Sequence, residues 1–282
     1  MRNEFLLSLV EKKIWEKYFV PEYERISLPL KVPVKKYVPI SICTNCMGRA
    51  EDIKQTYVEN IENNLDYPAI EFVLLNYGSK DDLDIWVFKN LMEYIKRGIL
   101  SYYSFKYPDG PKSYSMTHSR NVSFKVAKGK IVTNVDADHY TNKGFAVRLN
   151  ELAHQVKGTE VVFVKSKQKN RGRIALYKKE FERLGGYNED IREYGYDDHD
   201  LLMRAYLSGF RVLTFGGGFM RITEDHRRHP TDNYVDKDWR YTQARNALIS
   251  LVGIAAGRLE ANPGIQWGKA HLVRNFSMEI DI

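Results

Sequence analysis

The sequence holds only two cysteines, Cys43 and Cys46, and they form one C-x-x-C. A structural zinc site needs about four ligands, and no second pair exists to complete one. A redox pair of this spacing normally opens a helix after a strand. This one follows a strand, so a redox pair and a plain strand-to-loop turn are both admitted. Long apolar runs are also missing: nothing approaches the roughly 18 uninterrupted apolar residues of a membrane span. The first residues, MRNEFLLSLVEKKIWEKYF, scatter charges and offer no small-residue cleavage site, a poor secretory signal. The expectation is a soluble, cytoplasmic protein. There is no Gly-x-Gly-x-x-Gly after the first strand and no Gly-Lys-Ser, which argues against dehydrogenase and P-loop chemistry. Internal repeats and low-complexity tracts are absent.

What is present supports a folded core. Hydrophobic residues make up 43% and charged residues 28% of the 282 positions, a balance that excludes disorder. The net charge is +7, from 43 Lys+Arg against 36 Asp+Glu. The basic residues are spread out, and the densest runs (Lys35-Lys36, Lys165 to Lys169, Arg227-Arg228) are short. A solvated surface explains them better than nucleic acid, which is not expected as a partner. Attraction to an anionic membrane surface, as a peripheral contact, or to a phosphorylated substrate stays open.

Residues 1–36 read as an N-terminal extension, with Leu6, Val10, Ile14 and Tyr18 at helical spacing and Pro21, Pro29 and Pro33 after them. From residue 37 the chain alternates. Tyr37–Thr44, Ile70–Leu75, Ile99–Phe105 and Lys130–Val135 are apolar, β-branched runs that predict strands. Ala50–Leu65, Asp81–Lys96 and Thr117–Lys128 predict the helices between them. This order predicts a mostly parallel sheet flanked by helices, with ligands at the carboxyl ends of its strands. Further helices are expected at Asn142–Gln155, Lys178–Leu184, Asp198–Leu207 and Trp239–Ala256, and strands at Glu160–Val164 and Arg211–Phe215. The last twenty-five residues give no clear signal.

Three constellations carry chemistry. Asn134-Val135-Asp136-Ala137-Asp138-His139 delivers two carboxylates to a strand end. Their hard oxygens suit Mg²⁺ or Mn²⁺, which could bridge diphosphate oxygens. A simple Asp-capped turn is the bland alternative. Asp197-Asp198-His199-Asp200, after Gly185-Gly186-Tyr187, gathers four polar groups at a helix start. One acid suffices for a cap, so another is free to act as a general base. Glu224-Asp225-His226-Arg227-Arg228-His229 offers imidazoles that could complete a metal site, or only a polar loop. Arg120, with its planar fork, could pair with phosphate or ribose.

These residues carry a resemblance. The chain resembles a family 2 glycosyltransferase of the GT-A fold over about residues 38–230. The first strand leads into Thr44-Asn45-Cys46-Met47-Gly48-Arg49. The second ends in Asn76-Tyr77-Gly78-Ser79, where the family has Asp-Asp-Gly-Ser. Asp136-Ala137-Asp138 corresponds to the family's Asp-x-Asp. From Gly172 through Gly185-Gly186-Tyr187 to Asp200, the chain is similar to the acceptor half of the β-1,4-galactosyltransferases and polypeptide N-acetylgalactosaminyltransferases. The resemblance implies a GT-A nucleotide half over 37–138 and an acceptor half over 139–230, followed by a helical tail over 231–282. It implies that Thr44, Cys46 and Arg49 lie against the nucleotide and that Asn76 and Tyr77 meet the base. Asp136 and Ala137 would serve the donor, Asp138 and His226 would hold Mn²⁺ or Mg²⁺, and Gly172 would let backbone approach the sugar. Asp198 would be the base of an inverting transfer, with Tyr196 and Asp197 on the acceptor side. Tyr77 replaces the carboxylate that contacts uracil in the family.

The expected reaction moves a sugar from a nucleoside diphosphate sugar, a UDP-sugar first among them, to a hydroxyl of a glycan or glycoconjugate. Polysaccharide synthesis is the implied setting. A sugar nucleotidyltransferase and a non-catalytic glycan-binding scaffold on the same fold are the alternatives.

Overall fold

A computed structural model describes residues 36–106, 110–164, 173–214, 217–223 and 231–282. The helix expected over residues 5–19, Gly172 and His226 lie outside these residues.

The first half builds the centre of the sheet. β1 (Ile40–Cys46) is followed by α1 (Ala50–Glu62), β2 (Ile70–Asn76), α2 (Leu83–Asn90), α3 (Met92–Lys96), β3 (Leu100–Phe105), α4 (Met116–Val126) and β4 (Ile131–Asn134). β3, β2, β1 and β4 are adjacent and parallel, with Ile40 opposite both Ile70 and Ile131. Alternation sorts the strand side chains onto two faces. Ile40, Ile42, Phe72 and Leu74 meet Ile53, Tyr57 and Ile61 of α1 in one core. Cys43, Val73, Leu75 and Val132 meet Val122 and Phe124 of α4 in the other. The single helix expected over Asp81–Lys96 is interrupted at Leu91, whose φ of −116° and ψ of 1° leave the helical region. Its stripe of Leu83, Val87 and Leu91 is nonetheless fully buried.

The second half runs β5 (His139–Thr141), α5 (Phe145–Gln155), β6 (Val161–Val164), β7 (Ile174–Tyr177), α6 (Lys178–Arg183), α7 (Asp197–Leu207), β8 (Arg211–Thr214), β9 (Met220–Ile222), α8 (Trp239–Ala255), β10 (His271–Arg274) and β11 (Met278–Asp281). The main sheet has the order β11-β10-β3-β2-β1-β4-β7-β6-β8. β7 pairs antiparallel with β4 and β6, so the flanks of the sheet depart from the parallel centre. β5 and β9 form a separate antiparallel pair.

The expectation of a purely helical tail needs correction. After α8, β10 pairs antiparallel with β3 and β11 with β10. They occupy an edge of β3 whose backbone groups would otherwise be unpaired. The hairpin turns at Asn275 and Phe276, with φ of 50° and 66°. No glycine marks that turn, which is why the sequence pattern did not reveal it.

Candidate active site

The carboxyl ends of β1, β2 and β4 converge. The Tyr77 N–H bonds to the Cys46 carbonyl at 2.8 Å, and the Val135 N–H bonds to the Cys43 carbonyl at 2.9 Å. Beyond β4 the chain leaves the sheet as Asp136-Ala137-Asp138-His139, and α1 fixes its path. Thr56 donates to the Ala137 carbonyl at 2.7 Å. Asn60 donates to the His139 carbonyl at 2.8 Å and accepts from the Thr141 N–H at 2.6 Å. Thr56 and Asn60 lie beside the apolar stripe of α1, so one helix both covers the core and pins the acidic loop.

The side chains of that loop form a compact donor set. One ligand atom each from Asp136, Asp138 and His139 lie within 4.8 Å of one another. The Asp136 and Asp138 side chains are 31% and 37% exposed, open enough to meet a ligand. His139 Nδ1 lies 2.6 Å from Asp138 Oδ1. Arg173, just before β7, places its guanidinium 2.6 Å from Asp136 Oδ2 and 2.6 Å from His139 Nε2. Both contacts are satisfied when the imidazole carries its proton on Nδ1. Two carboxylates and an imidazole are a fitting donor set for Mn²⁺ or Mg²⁺. The Arg173 guanidinium marks the same place as one that attracts a cation. Burial works to raise the Asp136 carboxyl, but Arg173 and Arg120 outweigh it and hold it well below the usual carboxylate range.

Arg120 connects this loop to the second half. Its side chain is buried on α4 and bonds Asp197 directly, while its other terminal nitrogen sits 3.4 Å from Asp136. The guanidinium carbon lies 5.4 Å from the centre of the Tyr187 ring. Tyr187 is itself fixed by Asn121, which accepts from its N–H at 2.8 Å and donates to its carbonyl at 2.9 Å. The preceding Gly185 and Gly186 have φ of 70° and 72°, and a Cβ on Gly185 would fall 2.0 Å from the Ala261 carbonyl oxygen. Only glycine fits that turn.

The three aspartates of α7 have three different surroundings. Asp200 is buried, pairs with Arg204 at 2.8 Å and accepts from Ser250 at 2.7 Å. Arg204 also donates to the Leu184 and Gly186 carbonyls, tying α7 to the glycine turn. Asp197 is buried against Arg120. Burial, reinforced by the neighbouring Asp198 charge, lifts its carboxyl to about 6 against the opposing pull of Arg120. Asp198 is half-buried and more open. Burial works to raise it, but His199, with Nδ1 at 3.3 Å and its N–H at 2.9 Å from Oδ1, holds it well below the ordinary value. The helix is entered through Tyr196, whose φ of 71° is unusual for a non-glycine residue.

The structure thus gathers Arg120, Asp136, Asp138, Asp197 and Asp198 at one end of the sheet. Other expected residues stand differently. Tyr196 is buried, with its ring 5.3 Å from that of His199, and Asp197 is committed to Arg120. Both side chains are buried. Thr44 and Cys46 are buried in β1. Burial lifts the Cys46 thiol to about 12 and the Cys43 thiol well above its usual value, so the redox reading fails. Arg49 pairs with Asp52 at 3.3 Å. Asn76 accepts from the Ser79 N–H at 2.7 Å and donates to Asp84 at 2.9 Å, which shapes the loop after β2. Tyr77 is buried edge-on to Phe105 and Tyr114, with its hydroxyl 2.7 Å from His118 Nδ1. Its ring is a wall of that loop, not an exposed stacking surface.

Sequence reasoning assigned no role to His139 or to Arg173. Adjacency to Asp138 was the available signal for His139. No local signal pointed to Arg173, because it reaches Asp136 across 37 positions. Thr223, after β9, donates its N–H to the Asp138 carbonyl at 2.9 Å.

Residues 162–228 match a family described as the N-terminal domain of galactosyltransferase. No curated protein matches the chain by sequence. Among solved structures, S. aureus TarS 1-349 in complex with UDP-GlcNAc superposes with a TM-score of 0.59 at 17% identity, covering 80% of this chain and 68% of that one. The mannosyltransferase PcManGT from Pyrobaculum calidifontis, in complex with GDP-Man and Mn²⁺, gives 0.52 at 18% identity, covering 75% and 63%. GalNAc-T7 with UDP, GalNAc and Mn²⁺ gives 0.51 at 15% identity, covering 64% and 43%. The chain has the GT-A fold of these glycosyltransferases. It spans somewhat less than two thirds of the mannosyltransferase's length.

Proposed function

We propose that this protein is a metal-dependent glycosyltransferase that moves a sugar, with inversion, from a nucleoside diphosphate sugar to an acceptor hydroxyl. A UDP-sugar is the donor we favour, and a glycan or glycoconjugate the acceptor. The observation that carries the reading is the facing of two acid sets across Arg120: Asp136-Ala137-Asp138 on one side, Asp197-Asp198 on the other.

Asp138, Asp136 and His139 would hold Mn²⁺ or Mg²⁺, with His226 as a further candidate ligand. The bound ion supplies positive charge for the diphosphate of the leaving group. Arg173 would leave Asp136 and His139 when that charge arrives, and its guanidinium is then available to phosphate oxygens. Thr44, Arg49, Asn76 and Tyr77 belong to the strand ends and loops that would enclose the nucleoside, and Gly172 to the approach of the sugar.

Asp198 would take the proton from the acceptor hydroxyl as its oxygen attacks the anomeric carbon. A carboxylate held ionised at neutral pH and partly open to solvent suits that task. A base on the acceptor side is what a single displacement requires, so inversion follows. Asp197 acts at one remove, by fixing Arg120. Replacing Asp198 with Asn tests the assignment: transfer is lost while UDP binding stays within about twofold, and a comparable loss of UDP binding would make Asp198 structural.

A further inference from the structure

A short segment crosses the site from one half of the chain to the other. Asn233 donates to the Met47 carbonyl at 2.6 Å, and its own carbonyl accepts from the Tyr114 N–H at 2.8 Å. Two residues on, the Val235 N–H donates to the Glu193 carboxylate at 3.1 Å. Asn233 is thus tied to the loop after β1, and Val235 to the loop that leads into Asp197. Tyr234 lies between these two anchors. Its ring stands edge-on to Tyr114 and to Tyr194, with centroids 5.5 Å and 6.0 Å away.

The fold does not use the Tyr234 hydroxyl. Tyr234 is 5% exposed, and its hydroxyl makes no hydrogen bond with any described residue. A buried phenol without a partner carries an uncompensated desolvation penalty. Burial pushes this phenol up, Tyr114 and Asp197 push it further, and Arg120 opposes them. The hydroxyl therefore lies in the field of the Arg120–Asp197 pair. Tyr194 is half-buried. After burial, Asp136, Asp197 and Asp198 raise its phenol and Arg173 opposes them, so it feels both acid sets. Glu193 and Tyr196, on either side of the Tyr194-Gly195 pair, have φ of 64° and 71°. Non-glycine residues adopt such values at a cost, and keep them where the surroundings enforce them.

The chemistry of this wall selects its ligand. Phenol hydroxyls donate and accept, carboxylates accept from hydroxyls, and aromatic rings cover C–H surface. That mixture suits a pyranose, a neutral ring with hydroxyls at its rim and C–H groups on its faces. The carboxylates of Asp136, Asp197 and Asp198 make the same wall a poor seat for phosphate. The wall also stands between the loop after β1, assigned to the nucleotide, and the loop leading to Asp198, the assigned base. A sugar passing from one to the other lies between them.

We propose that Tyr194 and Tyr234 line the pocket of the transferred sugar, and that the Tyr234 hydroxyl bonds one of its hydroxyls. The inference rests on the transferase reading and deepens it, by naming residues that discriminate among sugars.

The test is Tyr234→Phe, which keeps the ring and removes only the hydroxyl. Calorimetry on the full chain with Mn²⁺ gives Kd for UDP and for UDP-glucose, UDP-galactose and UDP-N-acetylglucosamine. Thermal unfolding is followed without ligand. We expect UDP affinity within about twofold of wild type and the best-bound UDP-sugar weakened about five- to tenfold. The unfolding midpoint should equal or exceed that of wild type, because the free protein loses no bond. Sugar binding lost while stability is kept or gained is a combination that a packing role does not produce. Tyr194→Phe should shift the ratio of the UDP-sugar Kd to the UDP Kd in the same direction. The proposal is overturned if Tyr234→Phe leaves that ratio unchanged, whether both ligands weaken together or neither does. It is equally overturned if the midpoint falls by about 3 °C or more, since the hydroxyl would then have a partner in the free protein. Wild type that binds UDP, with a ratio untouched by Tyr234→Phe, sinks this inference alone. Wild type that binds no nucleotide sinks the transferase reading and this inference with it.

Discussion

Asp136 and Asp197 share one guanidinium, that of Arg120. The first leaves the strand that delivers the acidic loop, and the second opens the helix that carries Asp198. Arg120 is buried, so two carboxylates from distant parts of the chain offset the cost of its desolvation. Removing the guanidinium while keeping its size, as in Arg120→Met, leaves two neighbouring acids without a cation. We expect a loss of about 3–5 kcal/mol of stability, measured by denaturant unfolding. A change below about 1 kcal/mol would mean that the bridge is not formed in solution.

Asp198→Asn is expected to lower kcat by about 10²–10⁴. Asp197→Asn is expected to act through Arg120, with a smaller loss of kcat. A larger effect at Asp197 than at Asp198 would reverse the roles of the two.

The pH profile follows from the unequal surroundings of these acids. Asp197 is raised to about 6, whereas Asp198 is held low by His199 after burial is overcome. The first proton taken up by the pair therefore goes to Asp197, which weakens its hold on Arg120. We expect kcat/KM to fall below pH about 6, and this limb to vanish in Asp197→Asn. The stability signs are opposite. In Asp197 the folded state binds its proton more tightly than the unfolded state, so its contribution is lost as pH rises towards 6. Asp136 and Asp198 are depressed, so their contribution is complete above the ordinary carboxylate range and is lost as pH falls through it.

Arg173 and a divalent ion compete for Asp136 and His139. Without nucleotide, Arg173→Ala should bind Mn²⁺ about tenfold more tightly, equivalent to about 1.4 kcal/mol. UDP affinity in the presence of Mn²⁺ should fall in the same variant, because a phosphate partner is lost. Calorimetric titration of Mn²⁺ and of UDP separates the two effects. Weaker Mn²⁺ binding by Arg173→Ala would show that Arg173 supports the ligands instead of competing with the ion.

The parts of this fold that were legible in the sequence are those set by local periodicity. β1, β2 and β4 are continuous apolar runs, and the stripe Ile53, Tyr57, Ile61 marks α1. Position at a strand end singled out Asp136 and Asp138, and excess acid at a helix start singled out Asp197 to Asp200. Contacts between distant positions were not legible. Arg120 was assigned to phosphate or ribose, yet it is held by Asp197 across 77 positions. The burial of Tyr77 was not legible either, because its partners Phe105, Tyr114 and His118 come from other elements. The hairpin of β10 and β11 was hidden because Asn275 and Phe276 turn without glycine.

The glycine turn before α7 should tolerate no side chain. Gly185→Ala meets the Ala261 carbonyl oxygen and strains a left-handed backbone, so we expect a loss of at least about 1–3 kcal/mol. Asp200→Asn, which strips the buried Arg204 of its charge partner, should lose a similar or larger amount. Thermal unfolding of both variants checks this, and a Gly185→Ala protein as stable as wild type would refute the packing described for the turn.

The central claim is tested most directly by calorimetric titration of UDP, with and without Mn²⁺, into wild type and Asp138→Ala. The account predicts binding by wild type that requires Mn²⁺ and is lost in Asp138→Ala. Absence of nucleotide binding under every condition, or equal binding by both proteins, would contradict it.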